Sequence, residues 1–107
     1  MPNTQPLYLP TDALAALCRK YQVRELALFG SAARAEQTAA SDLDFLVEFE
    51  PSARIGFLAL SGLSRELSAL TQRPVDLVPK LGLKRTIRDQ VLAEAKVIYM
   101  RDEIATG

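Results

Sequence analysis

From residue 42 the chain alternates: Leu43, Phe45, Val47 and Phe49 fall on one side of an extended backbone, and Asp42, Asp44, Leu46 and Glu48 on the other. This period of two predicts a strand with one apolar face and carboxylates at its start, ended by Pro51. Upstream the period is helical, because Leu14, Leu17, Cys18 and Tyr21 recur at three- and four-residue steps after the capping candidates Thr11 and Asp12. Glu25 to Phe29 is a short apolar run closed by Gly30, which predicts a buried strand with a sharp exit. Ser31 to Gln37 is Ala-rich and helix-prone, and Thr38 to Ser41 reads as a loop.

Downstream, Leu60, Leu63, Leu67 and Leu70 mark the apolar stripe of a further helix. Val75 to Val78, bounded by Pro74 and Pro79, predicts a third strand with Asp76 near its beginning. Leu83, Ile87, Val91 and Ala95 are expected to form one face of a last long helix, Val97 to Met100 a fourth strand, and Arg101 to Gly107 a frayed tail. Helices interspersed with strands predict an α/β (α+β) fold, a sheet of about four strands flanked by helices, which convergence of Gly30, Asp42, Asp44 and Asp76 at one site makes a mixed sheet.

Composition narrows the chemistry. The 107 residues suit a single domain, with residues 1–10 as an N-terminal extension. Thirteen Lys and Arg balance thirteen Asp and Glu, which argues against a nucleic-acid partner held through many phosphates. No stretch has the pattern of a signal peptide or a bilayer span, so a cytoplasmic location without membrane attachment is expected. Cys18 is the single cysteine and histidine is absent, which removes Ser-His-Asp and Cys-His catalysis, His-ligated zinc and a thiolate zinc cage. Cys18 lies on the apolar side of its helix and reads as a small core residue. Carboxylate, hydroxyl and cation chemistry remain.

Gly30-Ser31, the pair Asp42 and Asp44, and Asp76 then acquire joint meaning. Residues two apart on a strand project from the same face with roughly 6 to 7 Å between Cα atoms, so two such carboxylates can clasp one metal or bridge two. Mg2+ takes a few carboxylates completed by water and phosphate oxygens, and paired metals about 3.5–4 Å apart support in-line displacement at phosphorus. Three carboxylates gathered without a cation would repel one another. Gly30 permits close approach of backbone to a ligand, and Ser31 opens a helix-prone segment whose N–H groups favour an anion such as a triphosphate. For these residues to converge, strands one and two must run antiparallel and strands two and three parallel, the latter joined by a crossover through the Leu60 to Leu70 helix.

Leu28-Phe29-Gly30-Ser31-Ala32-Ala33-Arg34, followed by Ser41-Asp42-Leu43-Asp44-Phe45-Leu46-Val47, resembles the signature of the minimal nucleotidyltransferases of the DNA polymerase β superfamily. The resemblance extends to Pro74-Val75-Asp76-Leu77-Val78 and to the ending around Ile87-Arg88, Glu94-Ala95 and Val97-Ile98-Tyr99. It implies a nucleotidyltransferase fold in which Gly30, Ser31 and Arg34 attend the nucleotide, Asp42 and Asp44 bridge two Mg2+ ions, and Asp76 completes a metal site and helps deprotonate the acceptor. Ala35 and Glu36 stand where many relatives carry a Gly, so the resemblance does not carry over the shape of that loop, though it does carry over the metal ligands. Lys80, Lys84, Arg85 and Arg88 cluster after the third strand, as a solvated helix start or as phosphate contacts.

Superfamily polymerases and drug-modifying enzymes carry additional segments for template or acceptor. What remains resembles the minimal transferases that act as antitoxins by moving AMP from ATP to a tyrosine of a HEPN-type ribonuclease toxin, with which they form hetero-oligomers. The alternatives are a noncatalytic antitoxin that masks its toxin and transfer of a nucleotide to a small-molecule hydroxyl.

Overall fold

The computed structural model describes residues 10–30 and 42–101. The element order is α1 (Thr11–Lys20), β1 (Val23–Phe29), β2 (Leu43–Phe49), α2 (Phe57–Thr71), β3 (Val75–Pro79), a 3-10 turn (Lys80–Gly82), α3 (Arg85–Glu94) and β4 (Lys96–Met100). The segment predicted as helix and loop over 31–41 lies outside the described residues, as do 1–9 and 102–107.

The helices stop where the backbone can turn over. Asp12 in the first turn of α1 and Arg19 and Lys20 in its last turn complement the helix dipole. Gln22 then adopts a left-handed φ of 59°, which reverses the chain into β1. Gln72, at φ 57°, does the same after α2 and donates its N–H to the Ser68 carbonyl.

The four strands form one sheet in the order β3-β2-β1-β4. β1 pairs antiparallel with both β2 and β4, while β2 pairs parallel with β3, so the sheet is mixed as expected. The alternation along β2 holds. Leu43, Phe45 and Val47 enter a buried cluster with Leu14, Leu17 and Cys18 of α1 and Leu63 and Leu67 of α2, and Phe49 packs on its edge. Burial of each such side chain favours folding by about 1.5–3 kcal/mol. Leu46 points to the opposite face, where it meets Ala27 and Leu83, with Phe29, Val78, Val91 and Ala95 around them.

Two expectations change near the C-terminus. The stripe Leu83, Ile87, Val91 and Ala95 does not lie on one helix, because Leu83, Lys84 and Ala95 are extended and α3 covers only Arg85–Glu94. Leu83 and Lys84 are extended between the 3-10 turn and α3, so Leu83 reaches the core from a linker rather than from a helix face. Ile87 is left 44% exposed, whereas Leu83, Val91 and Ala95 meet the second-face cluster. Arg101 is also anchored rather than frayed: its N–H donates to the Arg24 carbonyl at 2.8 Å, and its guanidinium lies 2.8 Å from Glu50.

Cys18 is fully buried, and burial pushes its thiol up to about 12, which suits packing and not reactivity. No helix among the described residues is long and apolar enough to cross a membrane.

Candidate active site

The parallel register of β2 and β3 sets Asp44 opposite Asp76, and the antiparallel register of β1 and β2 sets Phe29 opposite Asp44. Paired residues on adjacent strands share a face and sit about 4.8 Å apart. Asp44 and Asp76 therefore stand side by side, on the face that carries Leu46 and Val78 further along the same strands. Asp42 precedes the first residue of β2 by one position, is exposed, and has the parity of Asp44.

Gly30 closes against this pair from β1. Its φ is +71°, a conformation that a Cβ makes costly. An added Cβ would in any case lie 2.5 Å from Asp44 Oδ2, well inside van der Waals contact. The glycine of the Gly-Ser pair is thus favoured by its left-handed backbone, and any side chain there would have to push the Asp44 carboxylate aside. Ser31 and Arg34, the other residues expected at the nucleotide, lie outside the described residues.

The electrostatics agree with the register. The Asp44 carboxyl is held above its ordinary range, first by partial burial and then by the negative charges of Asp76 and Asp42. The register sets Asp76 opposite Asp44 and Asp42 lies two residues before it, so both charges act on Asp44. A divalent cation would reverse the repulsion, and hard carboxylate oxygens are the donors Mg2+ prefers. Among the described residues no group of three or more such side chains forms a ready-made metal cage. Asp42, Asp44 and Asp76 thus stand near one another without forming such a group, and their oxygen donors fit Mg2+ by type only.

The cations after β3 separate into two kinds. Lys80 is paired with Glu48 at 3.4 Å, four residues along each strand from Asp76 and Asp44. Glu48 was not singled out in the sequence; its parity with Asp44 was the available signal. Lys84, Arg85 and Arg88 are exposed and make no ion pair among the described residues.

The profile of the nucleotidyltransferase domain family matches residues 11–99. The chain is 40% identical over 84 residues to the protein adenylyltransferase MntA of Thermococcus cleftensis, covering 78% of this chain and 81% of that one. Among solved structures, a toxin–antitoxin complex with AMP-PNP contains a chain that superposes with a TM-score of 0.71 at 22% identity, covering 92% of this chain and 79% of that one. A complex of a tri-AMPylated Shewanella oneidensis HEPN toxin with its MNT antitoxin superposes at 0.62 and 19% identity, covering 90% and 74%. At these identities the two structures establish a shared fold.

Proposed function

Because this chain belongs to the nucleotidyltransferase domain family, we propose that it is a Mg2+-dependent adenylyltransferase that moves AMP from ATP to a tyrosine hydroxyl of a HEPN-type toxin, acting in the cytoplasm as the antitoxin. The observation that carries the reading is the alignment of Asp44 with Asp76 beside a glycine that leaves room for the carboxylate. The name of the Thermococcus relative supports AMP transfer to protein, and the AMPylated toxin in the Shewanella complex supports the class of acceptor.

Asp42, Asp44 and Asp76 would hold two Mg2+ ions, which when bound neutralise charge on the triphosphate and leaving group. Ser31 and Arg34 would contact the triphosphate, with Gly30 keeping the backbone close to it. Asp76, on the edge strand and exposed, is open to an incoming acceptor. The tyrosine oxygen forms a bond to the α-phosphorus, the bond from that phosphorus to the bridging oxygen breaks, and pyrophosphate leaves. Asp76 accepts the phenolic proton. A phenol with a pKa near 10 needs such a base at neutral pH.

The test is intact-mass spectrometry of the partner toxin after incubation with ATP, Mg2+ and either the wild-type chain or its Asp44→Asn variant. Mass increments of AMP with the wild type alone are expected. Suppression of toxicity by both chains with no mass change would mean that the chain acts by masking.

A further inference from the structure

Away from the carboxylates, a groove of about 370 Å3 runs between the end of β2, the connection to α2 and the end of β3. Its walls are mainly apolar, with Phe49, Pro51, Ala53, Ile55, Pro79 and Leu81 contributing. Leu81 is 93% exposed on its rim, and Phe57 and Leu58, two and three residues beyond Ile55, are 80% and 84% exposed. Large apolar side chains left in water around a concave apolar surface mark an interface. Leu81, Phe57 and Leu58 do not support the fold by their own burial.

Directly after Leu81 the chain places Lys84, Arg85 and Arg88, exposed and without an ion pair among the described residues. By contrast Lys20, Lys80 and Arg101 each hold a glutamate. The chain as a whole has no net charge, so this patch is not part of a general positive excess. The first turn of α3 contains no acid to offset it. Cations there also oppose the helix dipole; they follow Leu81 of the groove rim by three to seven residues, Asp89 is the first acid of α3, and the groove's own acids, Glu48 and Glu50, are already paired with Lys80 and Arg101.

We propose that this groove and its cationic flank dock the acceptor protein, by taking an amphipathic segment whose apolar side chains enter the groove and whose carboxylates face Lys84, Arg85 and Arg88. This rests on the reading of the chain as a transferase acting on a protein. The groove lies beside Glu48 and Lys80, four residues along β2 and β3 from Asp44 and Asp76, which is about 13 Å of strand. A segment bound there leaves the carboxylates clear and holds the rest of its protein over them. Docking and chemistry are then carried by separate residues, so affinity for the acceptor can change without the transfer step changing.

The experiment is steady-state AMP transfer to a HEPN-type toxin, using the wild-type chain, Leu81→Asp and the double variant Arg85→Glu, Arg88→Glu. Thermal melts and titration with a fluorescent ATP analogue verify fold and nucleotide binding. Leu81→Asp is expected to raise KM for the toxin about tenfold or more with kcat little changed, as loss of an interface anchor does. The charge reversal should raise KM at low salt, and the difference from wild type should shrink as salt screens it. Unchanged KM in both variants overturns the proposal and leaves the transferase reading standing. So does an effect of Leu81→Asp on self-association alone, which would make the groove a contact between copies, or competition by RNA for the Arg85 and Arg88 flank. If the wild-type chain transfers no AMP, the transferase reading fails by itself. Docking is then decided by calorimetric titration of the toxin into the same variants, where equal affinities overturn it.

Discussion

Gly30 and Asp44 share one small volume: the space a side chain would need at position 30 is filled by the Asp44 carboxylate, 2.5 Å from where the Cβ would stand. Gly30→Ala is therefore expected to destabilise the protein by about 1–3 kcal/mol through its left-handed backbone and to displace Asp44 as well. In the Asp44→Ala background the steric part should vanish. A double-mutant cycle by urea denaturation measures this, and strictly additive losses would show that the two residues do not compete for space.

Asp44→Asn keeps the volume of the side chain and removes the charge. Loss of a residue that merely supports a metal ligand costs about 10- to 100-fold, so loss of a ligand should reduce AMP transfer at least that much. The fold should persist, because the core side of β2 is untouched. Turnover near the wild-type rate would remove Asp44 from the proposed mechanism.

The raised Asp44 pKa also sets a pH dependence. Since the folded value lies above the ordinary one of 3.8, protonated Asp44 favours the fold, fully so below that value. The contribution is lost as pH rises through the folded pKa, and at neutral pH the charged carboxylate opposes folding. The melting temperature of Asp44→Asn minus that of wild type, without metal, should therefore be positive at pH 7 and shrink as pH falls toward 4. Saturating Mg2+ should reduce or reverse the difference at pH 7. A difference that ignores both pH and Mg2+ would argue against the repulsion.

Cys18 offers a probe of the core. Fully buried and with its thiol pushed up to about 12, it should react with a disulfide reagent only as fast as the protein opens. Stoichiometric labelling within seconds under native conditions would contradict its place between α1 and the sheet. Phe45→Ala should accelerate labelling, since it removes a fully buried ring from the same cluster at a cost of about 3–5 kcal/mol.

Much of this molecule is legible in one dimension because a strand has a period of two. The alternation Leu43, Phe45, Val47 against Asp44, Leu46, Glu48 is a local property, and the two faces it implies are the two faces observed. Antiparallel and parallel pairing were likewise deducible, because Gly30, Asp44 and Asp76 could meet only in a mixed sheet. Where the chain leaves periodic structure, that logic ends. Leu83, Ile87 and Val91 fit one helical stripe, but the extended backbone at Leu83 and Lys84 leaves only Ile87 and Val91 on α3. Arg101 reads as a tail residue along the sequence, yet the fold sets it beside Glu50, 51 positions earlier.

Residue types and their order determined the chemistry available here: carboxylates without histidine, and a glycine ahead of them. Tertiary structure alone decided that Asp44 and Asp76 are neighbours in register, that the space beside Gly30 is taken by Asp44, and that Lys80 is neutralised while Lys84, Arg85 and Arg88 are left without an ion pair among the described residues. The physical reason is range. Backbone periodicity and turn preference act over a few residues, whereas charge pairing, steric exclusion and desolvation depend on which distant segments the sheet brings within a few ångströms.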